Sequence, residues 1–130
     1  MTDSAPVMTG SAVVITCSTR AAAGVYPDRS GPIIADALRG WGLEVGDVVV
    51  VADGPDVEVA LRVALSTGAS LVLTTGGTGL TANDGTPEAT LLVVDRLVPG
   101  IAEAIRAAGV EVESQRPCCP GESAAWWGRP

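Results

Sequence analysis

The sequence predicts an α/β domain built on a mostly parallel sheet, and three observations carry that expectation. Short β-branched runs alternate with helix-spaced apolar residues through the first 110 positions. The runs are apolar throughout rather than alternating with polar residues, the mark of strands covered on both faces. The third run passes directly into Gly76-Gly77-Thr78-Gly79, and the ligands of parallel sheets bind in the loops that follow the strands.

Residues 1–10 are small and polar and read as a disordered lead-in. Ala12-Val13-Val14-Ile15-Thr16-Cys17 is the first strand, and the segment 18–29 after it is too rich in small and turn residues for a clean helix. Ser30 is placed to cap a helix with Pro32 in its first turn. Ile33, Ile34, Ala37, Leu38 and Trp41 follow at helical spacing, and Gly40 or Gly42 closes the helix. The run from Val45 to Val51 reads as one second strand. The turn Asp53-Gly54-Pro55-Asp56 then opens a helix that places Val57, Ala60, Leu61, Ala64 and Leu65 on one face and stops at Gly68. Ala69 to Thr74 is the third strand. Thr86-Pro87-Glu88 starts the next helix, with a capping hydroxyl, proline at the first position and an acid at the positive dipole end. A further helical stretch, Ile101 to Ala108, follows the break at Pro99-Gly100.

Composition narrows the function. The formal charge is −7 with no basic stripe, which argues against a nucleic-acid partner, since that binding runs through Lys and Arg on phosphate. A nucleotide remains compatible, provided backbone amides and a divalent metal meet its phosphates. There is no His, so catalysis falls to carboxylates, hydroxyls, amides, arginine or a metal. Cys17, Cys118 and Cys119 form no disulfide framework and suit a reducing compartment. No signal segment or membrane-length apolar run is present, so a soluble cytoplasmic chain is expected, with no membrane partner.

Three loops, 17–29, 52–56 and 75–86, gather on one sheet edge by topology, and bring Asp28, Asp53, Asp56, the glycine-rich turn and Asp84 there. Gly76, Gly77 and Gly79 let backbone approach a ligand and offer amides to an anion, with Thr75 and Thr78 adding hydroxyls. Without a ligand the same residues make a tight turn. Asp84 can hold Mg²⁺ through oxygen ligands beside a helix start, or serve only as a turn residue. Asp53 alone reads as a turn aspartate.

Taken together, Thr74 to Gly79 and Asp84-Gly85-Thr86-Pro87-Glu88-Ala89-Thr90 resemble the signature of the MogA/MoaB family of molybdenum cofactor biosynthesis. The stretch Cys17-Ser18-Thr19-Arg20 with Gly24-Val25-Tyr26-Pro27-Asp28-Arg29-Ser30-Gly31-Pro32 resembles that family's first loop, and Val98 to Ala104 its segment after the signature helix. The resemblance covers about residues 11–109. It implies a three-layer α/β domain with helices on both faces of the sheet, assembled as a homotrimer. The implied reaction is attack of the molybdopterin phosphate on the α-phosphate of MgATP, giving adenylylated molybdopterin and pyrophosphate, with hand-over to a molybdenum-insertase protein. It places the two essential aspartates on Asp53 and Asp84, with Mg²⁺ at Asp84. Nucleotide phosphates fall to Thr75, Gly76, Gly77, Thr78 and Gly79, and the first-loop or pterin contacts to Ser18, Arg20, Asp28 and Ser30. Thr86 and Glu88 form the helix cap near the site. Two departures stand out: Thr19 in place of the usual Asp, and Ala52 in place of a common Pro. The alternatives are a CinA-like domain acting on nicotinamide nucleotides, although that family's turn continues Gly-Leu-Gly-Pro-Thr, and a pterin-binding or trimerising module that does not turn over ATP.

After Val112 the composition changes: Val, Leu and Ile disappear, while Cys118, Cys119, Trp126 and Trp127 cluster. With GC-rich codons for Glu113 to Gly128, a frame beginning at each third base reads Val-Pro-Thr-Ala-Val-Leu-Ser-Arg-Gly, which resembles the family's next strand and loop. The expectation is therefore an incomplete domain over 11–110 and a frame-shifted, non-native tail over 111–130. On that reading the missing strand, phosphate loop and terminal helix leave the chain with little or no activity.

Overall fold

The computed structural model describes residues 7–112 and 125–126. Its centre is β1 (Ser11–Cys17), followed by the short α1 (Thr19–Ala22) and by α2 (Ser30–Gly40). Then come β2 (Glu44–Val45), β3 (Val49–Val51), α3 (Pro55–Ser66), β4 (Leu71–Thr75) and α4 (Thr86–Leu91). The last elements are β5 (Arg96–Leu97), α5 (Pro99–Val112) and β6 (Ala125–Trp126).

All pairings of β1 are parallel: with β2, with β3 and with β4. Ala12 pairs with both Val45 and Leu71, and Ile15 with both Val49 and Thr74, so β2 and β3 lie end to end along one edge of β1 and β4 along the other. The one strand expected over 45–51 is thus two. Ser11 faces Glu44 while Ile15 faces Val49, so the register gains one residue between them, and the Gly46–Val48 segment carries the slip. The sheet puts the ends of β1, β3 and β4 at one edge, which is where their following loops meet.

Alternation along β1 divides the core. Ala12 and Val14 pack with Ala35 and Leu38 of α2 and with Leu43, while Ile15 and Cys17 pack with Val57, Leu61 and Ala64 of α3 and Ala89 of α4. This is the expected three-layer arrangement, with helices on both faces of the sheet. The helix of Val57, Leu61 and Ala64 forms where the spacing predicted, and it ends at Ser66 with Thr67 at the cap position, before Gly68, whose φ is +76°.

Several boundaries differ from the sequence reading. Pro99 and Gly100 begin α5 rather than break it. Ser30 is the first residue of α2 and Arg29 its cap position, without a side-chain cap bond; the Gly31 amide instead donates to Asp28 Oδ1 at 3.2 Å. Thr86 is likewise the first residue of α4, with Gly85 at the cap position, so its hydroxyl caps nothing. Of the lead-in, residues 7–10 are described, and the Met8 amide donates to the Trp41 carbonyl. The tail lies outside the described residues, apart from the end of α5 and the antiparallel pairing of β6 with β5. Among the described residues no helix is long and apolar enough to cross a membrane.

Candidate functional site

The loops after β1, β3 and β4 enclose a cleft of about 760 Å³. Its walls hold Ser18, Arg20, Asp28 and Ser30 from the first loop, Asp53 from the second, and Gly76, Gly77 and Asp84 from the third. These eight residues were all readable as candidates, and the structure brings them together. Thr75, Thr78, Gly79, Thr86 and Glu88 do not line it. Thr75 turns its hydroxyl to Ser30, donating to Oγ at 3.2 Å and tying the end of β4 to the start of α2. Asp56, expected on the same edge, lines a separate groove between β3 and α3 instead.

The first loop is held at both ends. Ser18 Oγ accepts the Ala21 amide at 3.2 Å and lies 2.9 Å from the Tyr26 hydroxyl, closing the loop over α1. Asp28 is committed to structure on both oxygens: Oδ2 accepts from Thr16 Oγ1 at 2.8 Å and Oδ1 accepts the Gly31 amide. Gly31 is buried, and a side chain there would meet Asp28, Thr16 and Val48, so glycine is required for α2 to seat against β1.

Asp53 is fixed from α1. Its Oδ2 accepts from the Thr19 amide at 3.2 Å and from the Thr19 hydroxyl at 3.1 Å, while its own amide donates back to Thr19 Oγ1 at 3.1 Å. Its Oδ1 is buried and has no hydrogen-bond partner. Asp84 is held inside its own loop: Oδ2 accepts the Thr81 hydroxyl at 2.7 Å and the Thr81 amide at 3.0 Å. The Thr81 side chain first, then the Thr81 amide, hold its carboxyl below the usual value against a smaller desolvation effect, and the Gly79 amide adds the least. A half-buried carboxylate lining the cleft suits Mg²⁺, which takes one or two carboxylates together with waters and substrate phosphates. Among the described residues no cluster of three or more His, Cys, Asp or Glu forms a closed metal cage.

The glycine turn is built for close approach. Gly76 has φ +88° and Gly77 φ +67°, and a Cβ at Gly76 would strike the Cys17 carbonyl. The Gly77 carbonyl accepts the Thr86 amide at 3.1 Å, which docks the turn against α4. Below it, burial pushes the Cys17 thiol up; the neighbouring Thr86 hydroxyl lowers it and the Asp53 charge raises it further.

Sequence reasoning missed Thr16, Cys17, Thr19, Tyr26, Arg29, Thr81 and Asn83 as cleft residues. Arg29 carried a signal that was passed over, its place inside the first-loop motif. It matters because Arg39 pairs with Asp36 and Arg62 with Glu58, whereas Arg20 and Arg29 make no ion pair among the described residues. Two uncommitted guanidiniums therefore border the cleft of an acidic protein.

Fold and cleft define an α/β domain with a polar, anion-compatible site at the carboxyl edge of a parallel sheet. Residues 13–126 match the family model described as "Probable molybdopterin binding domain", and the chain belongs to that family. It is 44% identical over 99 residues to a molybdenum cofactor biosynthesis bifunctional protein of Synechococcus elongatus, covering 75% of this chain and 31% of that protein. It is 41% identical over 83 residues to a molybdopterin adenylyltransferase of Pyrococcus furiosus, covering 64% of this chain and 49% of that one. A CinA-like protein of Mycolicibacterium vanbaalenii is 37% identical over 82 residues, with 62% and 19% covered. Among solved structures, the molybdopterin biosynthesis Mog protein of Mycobacterium ulcerans superposes with a TM-score of 0.72 at 48% identity, over 77% of this chain and 66% of that one. The chain thus spans half or less of these curated relatives.

Proposed function

We propose that the cleft binds ATP and molybdopterin and that the intact domain transfers an adenylyl group between them. A phosphate oxygen of molybdopterin attacks the α-phosphorus of ATP, the bond to the bridging oxygen of the β-phosphate breaks, and pyrophosphate leaves. The observation that carries this reading is the placement of the unpaired Arg20 and Arg29 across the same cleft as Asp53, Asp84 and the Gly76–Gly77 turn. The guanidiniums and the turn amides suit phosphate oxygens. Asp84 would hold Mg²⁺, which when bound neutralises charge on the reacting phosphates. Asp53, pinned by Thr19, borders either that metal or the pterin. The homotrimer, the hand-over of product to a molybdenum-insertase protein and the cytoplasmic setting belong to this same reading. We further propose that the tail from about residue 111 leaves this chain with little of that activity.

The test is incubation of the frame-restored protein, beside the chain as written, with MgATP and molybdopterin, followed by detection of adenylylated pterin and pyrophosphate; no product from the frame-restored protein would sink the reading. Nucleotide binding is measured alongside on R20A and R29A. Each guanidinium removed should weaken binding about tenfold, the size of one charge-assisted phosphate contact. R39A, whose charge is already paired with Asp36, should bind as the unmodified chain does. Equal binding by all three variants would sink the assignment. The CinA-like relative favours a second reading, action on a nicotinamide nucleotide; turnover of nicotinamide mononucleotide without adenylyl transfer would select it.

A further inference from the structure

Outside the cleft, one edge of the sheet stands open among the described residues. β2 and β3 form the outer line beside β1, but only β2 is closed off: the Arg39 guanidinium donates to the Val45 and Gly46 carbonyls at 3.0–3.2 Å. β3 pairs with β1 alone among the described residues. The Val51 carbonyl accepts the Ser18 amide on the inner side, and successive residues of a strand alternate sides, so Val50 turns its amide and carbonyl outward. An edge of this kind is a template for one more strand. α3 borders it with an apolar stripe distinct from its core stripe of Val57, Leu61 and Ala64. Val59 and Val63, 60% and 61% exposed, line with Val49 and Val51 an apolar groove of about 450 Å³. A contiguous apolar patch beside an open strand edge marks a contact surface.

The groove's charged walls are both acidic. Asp47 lies just ahead of β3 and Asp56 in the first turn of α3, which runs back along β3, so the two carboxylates sit toward opposite ends. Neither is in an ion pair among the described residues. The groove follows α3 from Asp56 to Thr67, about 16 Å at the helical rise per residue, which takes about five extended residues. We propose that this groove docks an extended segment of another protein, which adds to the free edge of β3 as a further strand. Its alternate side chains face α3: apolar ones meet Val59 and Val63, and an arginine or lysine at each end meets Asp47 or Asp56. Backbone bonds to Val50 give affinity, and the pattern of apolar centre and basic ends gives specificity. A second copy of this chain fits less well, because its net charge of −7 opposes self-association. The groove is separate from the cleft between the loops and does not depend on adenylyl transfer.

The probe is the acetylated, amidated peptide Arg-Thr-Val-Thr-Val-Thr-Arg, which puts both valines and both arginines on one face of a strand. Titrated into the isotope-labelled full chain, it should shift the amides of Val49 to Val51 and of Val59 and Val63, and leave those of Gly76 and Gly77 in place. V63E, a surface change that spares the core, should weaken binding about tenfold, and D47K/D56K should do the same. The peptide with glutamates for arginines should bind D47K/D56K and not the unmodified chain, a reversal that loss of folding cannot produce. Of two peptides N-methylated at alternate residues, the one blocked on the side toward β3 should lose binding and the other keep it. No shift on β3, equal affinity across the variants, or equal loss by both methylated peptides overturns the proposal. Self-association of the unmodified chain that V63E abolishes also overturns it, since the groove would then hold a second copy.

Discussion

The Thr19 hydroxyl donates to Asp53 Oδ2 and accepts the Asp53 amide, both at 3.1 Å, so a residue on α1 sets the rotamer of a carboxylate after β3. In the family's first loop this position usually carries an aspartate, and a second carboxylate here would face Asp53 without the donor that now holds it. T19A should cost about 0.5–1 kcal/mol, since these bonds are exposed to solvent. T19D should cost more in the absence of divalent ions, through like-charge repulsion. Added Mg²⁺ should restore the T19D midpoint. Thermal unfolding with and without Mg²⁺ checks both; a T19D variant indifferent to Mg²⁺ would argue against a cation near Asp53.

Asp84 makes a pH prediction whose sign follows from its bonds. Its carboxyl is held below the ordinary value of 3.8 by Thr81 and Gly79. The folded chain therefore gives up this proton more readily than the unfolded chain, and the bonds add stability at neutral pH. That contribution starts to fall as the pH drops below the ordinary value and is gone once the pH is below the folded one. The Thr81 amide shift in NMR should titrate below 3.8 and lose its dependence in D84N. A T81V variant should move the midpoint back up. Titration at or above the ordinary value would show that the loop is not held as described.

Glycines at two positions should respond in opposite directions. Gly77 has φ +67° and its Cβ would crowd Thr86 and Asp53, so G77A should cost about 2–4 kcal/mol from backbone strain plus overpacking. Gly109 lies inside α5 with open space where a Cβ would stand, so G109A should stabilise by about 0.5–1 kcal/mol through helix propensity. Denaturant midpoints of the two variants, measured side by side, give the comparison.

The tail makes a prediction at the level of nucleic acid. Read one base off the written frame, the coding DNA downstream of about codon 110 should continue through Ser-Arg-Gly toward a Pro-Gly-x-Pro loop. A frame-restored protein should then transfer adenylyl groups faster than the chain as written. A DNA sequence that supports residues 113–130 with no hidden frame would remove this account of them.

What the sequence showed, and what it hid, divides along physical lines. β1 and α3 were legible because burial imposes a local period, and Val57, Leu61 and Ala64 carry it within one helix. The cleft was legible as three loops, since parallel topology alone collects them. The Thr19–Asp53 pairing was not, because partners 34 positions apart leave no local pattern. Thr86 was misread as a cap because the capping rule looks only along the chain, whereas the Gly77 turn packs against its hydroxyl from above. The split of β2 from β3 was hidden by the unbroken valines from Val48 to Val51, which mask a one-residue slip. Asp56 was placed by topology on the wrong surface, because its position in the first turn of α3 carries it round to the β3 groove.

β1 supplies residues to both apolar clusters, Ala12 and Val14 to one and Ile15 and Cys17 to the other. A strand shared in this way has no independent half. If the α2 layer opens, β1 loses one of the two surfaces that hold it in register, and the α3 layer rests on that same register. On that ground the two layers are expected to melt together, and the amides of β1 should be among the slowest of the described residues to exchange with solvent, which native-state hydrogen exchange would check.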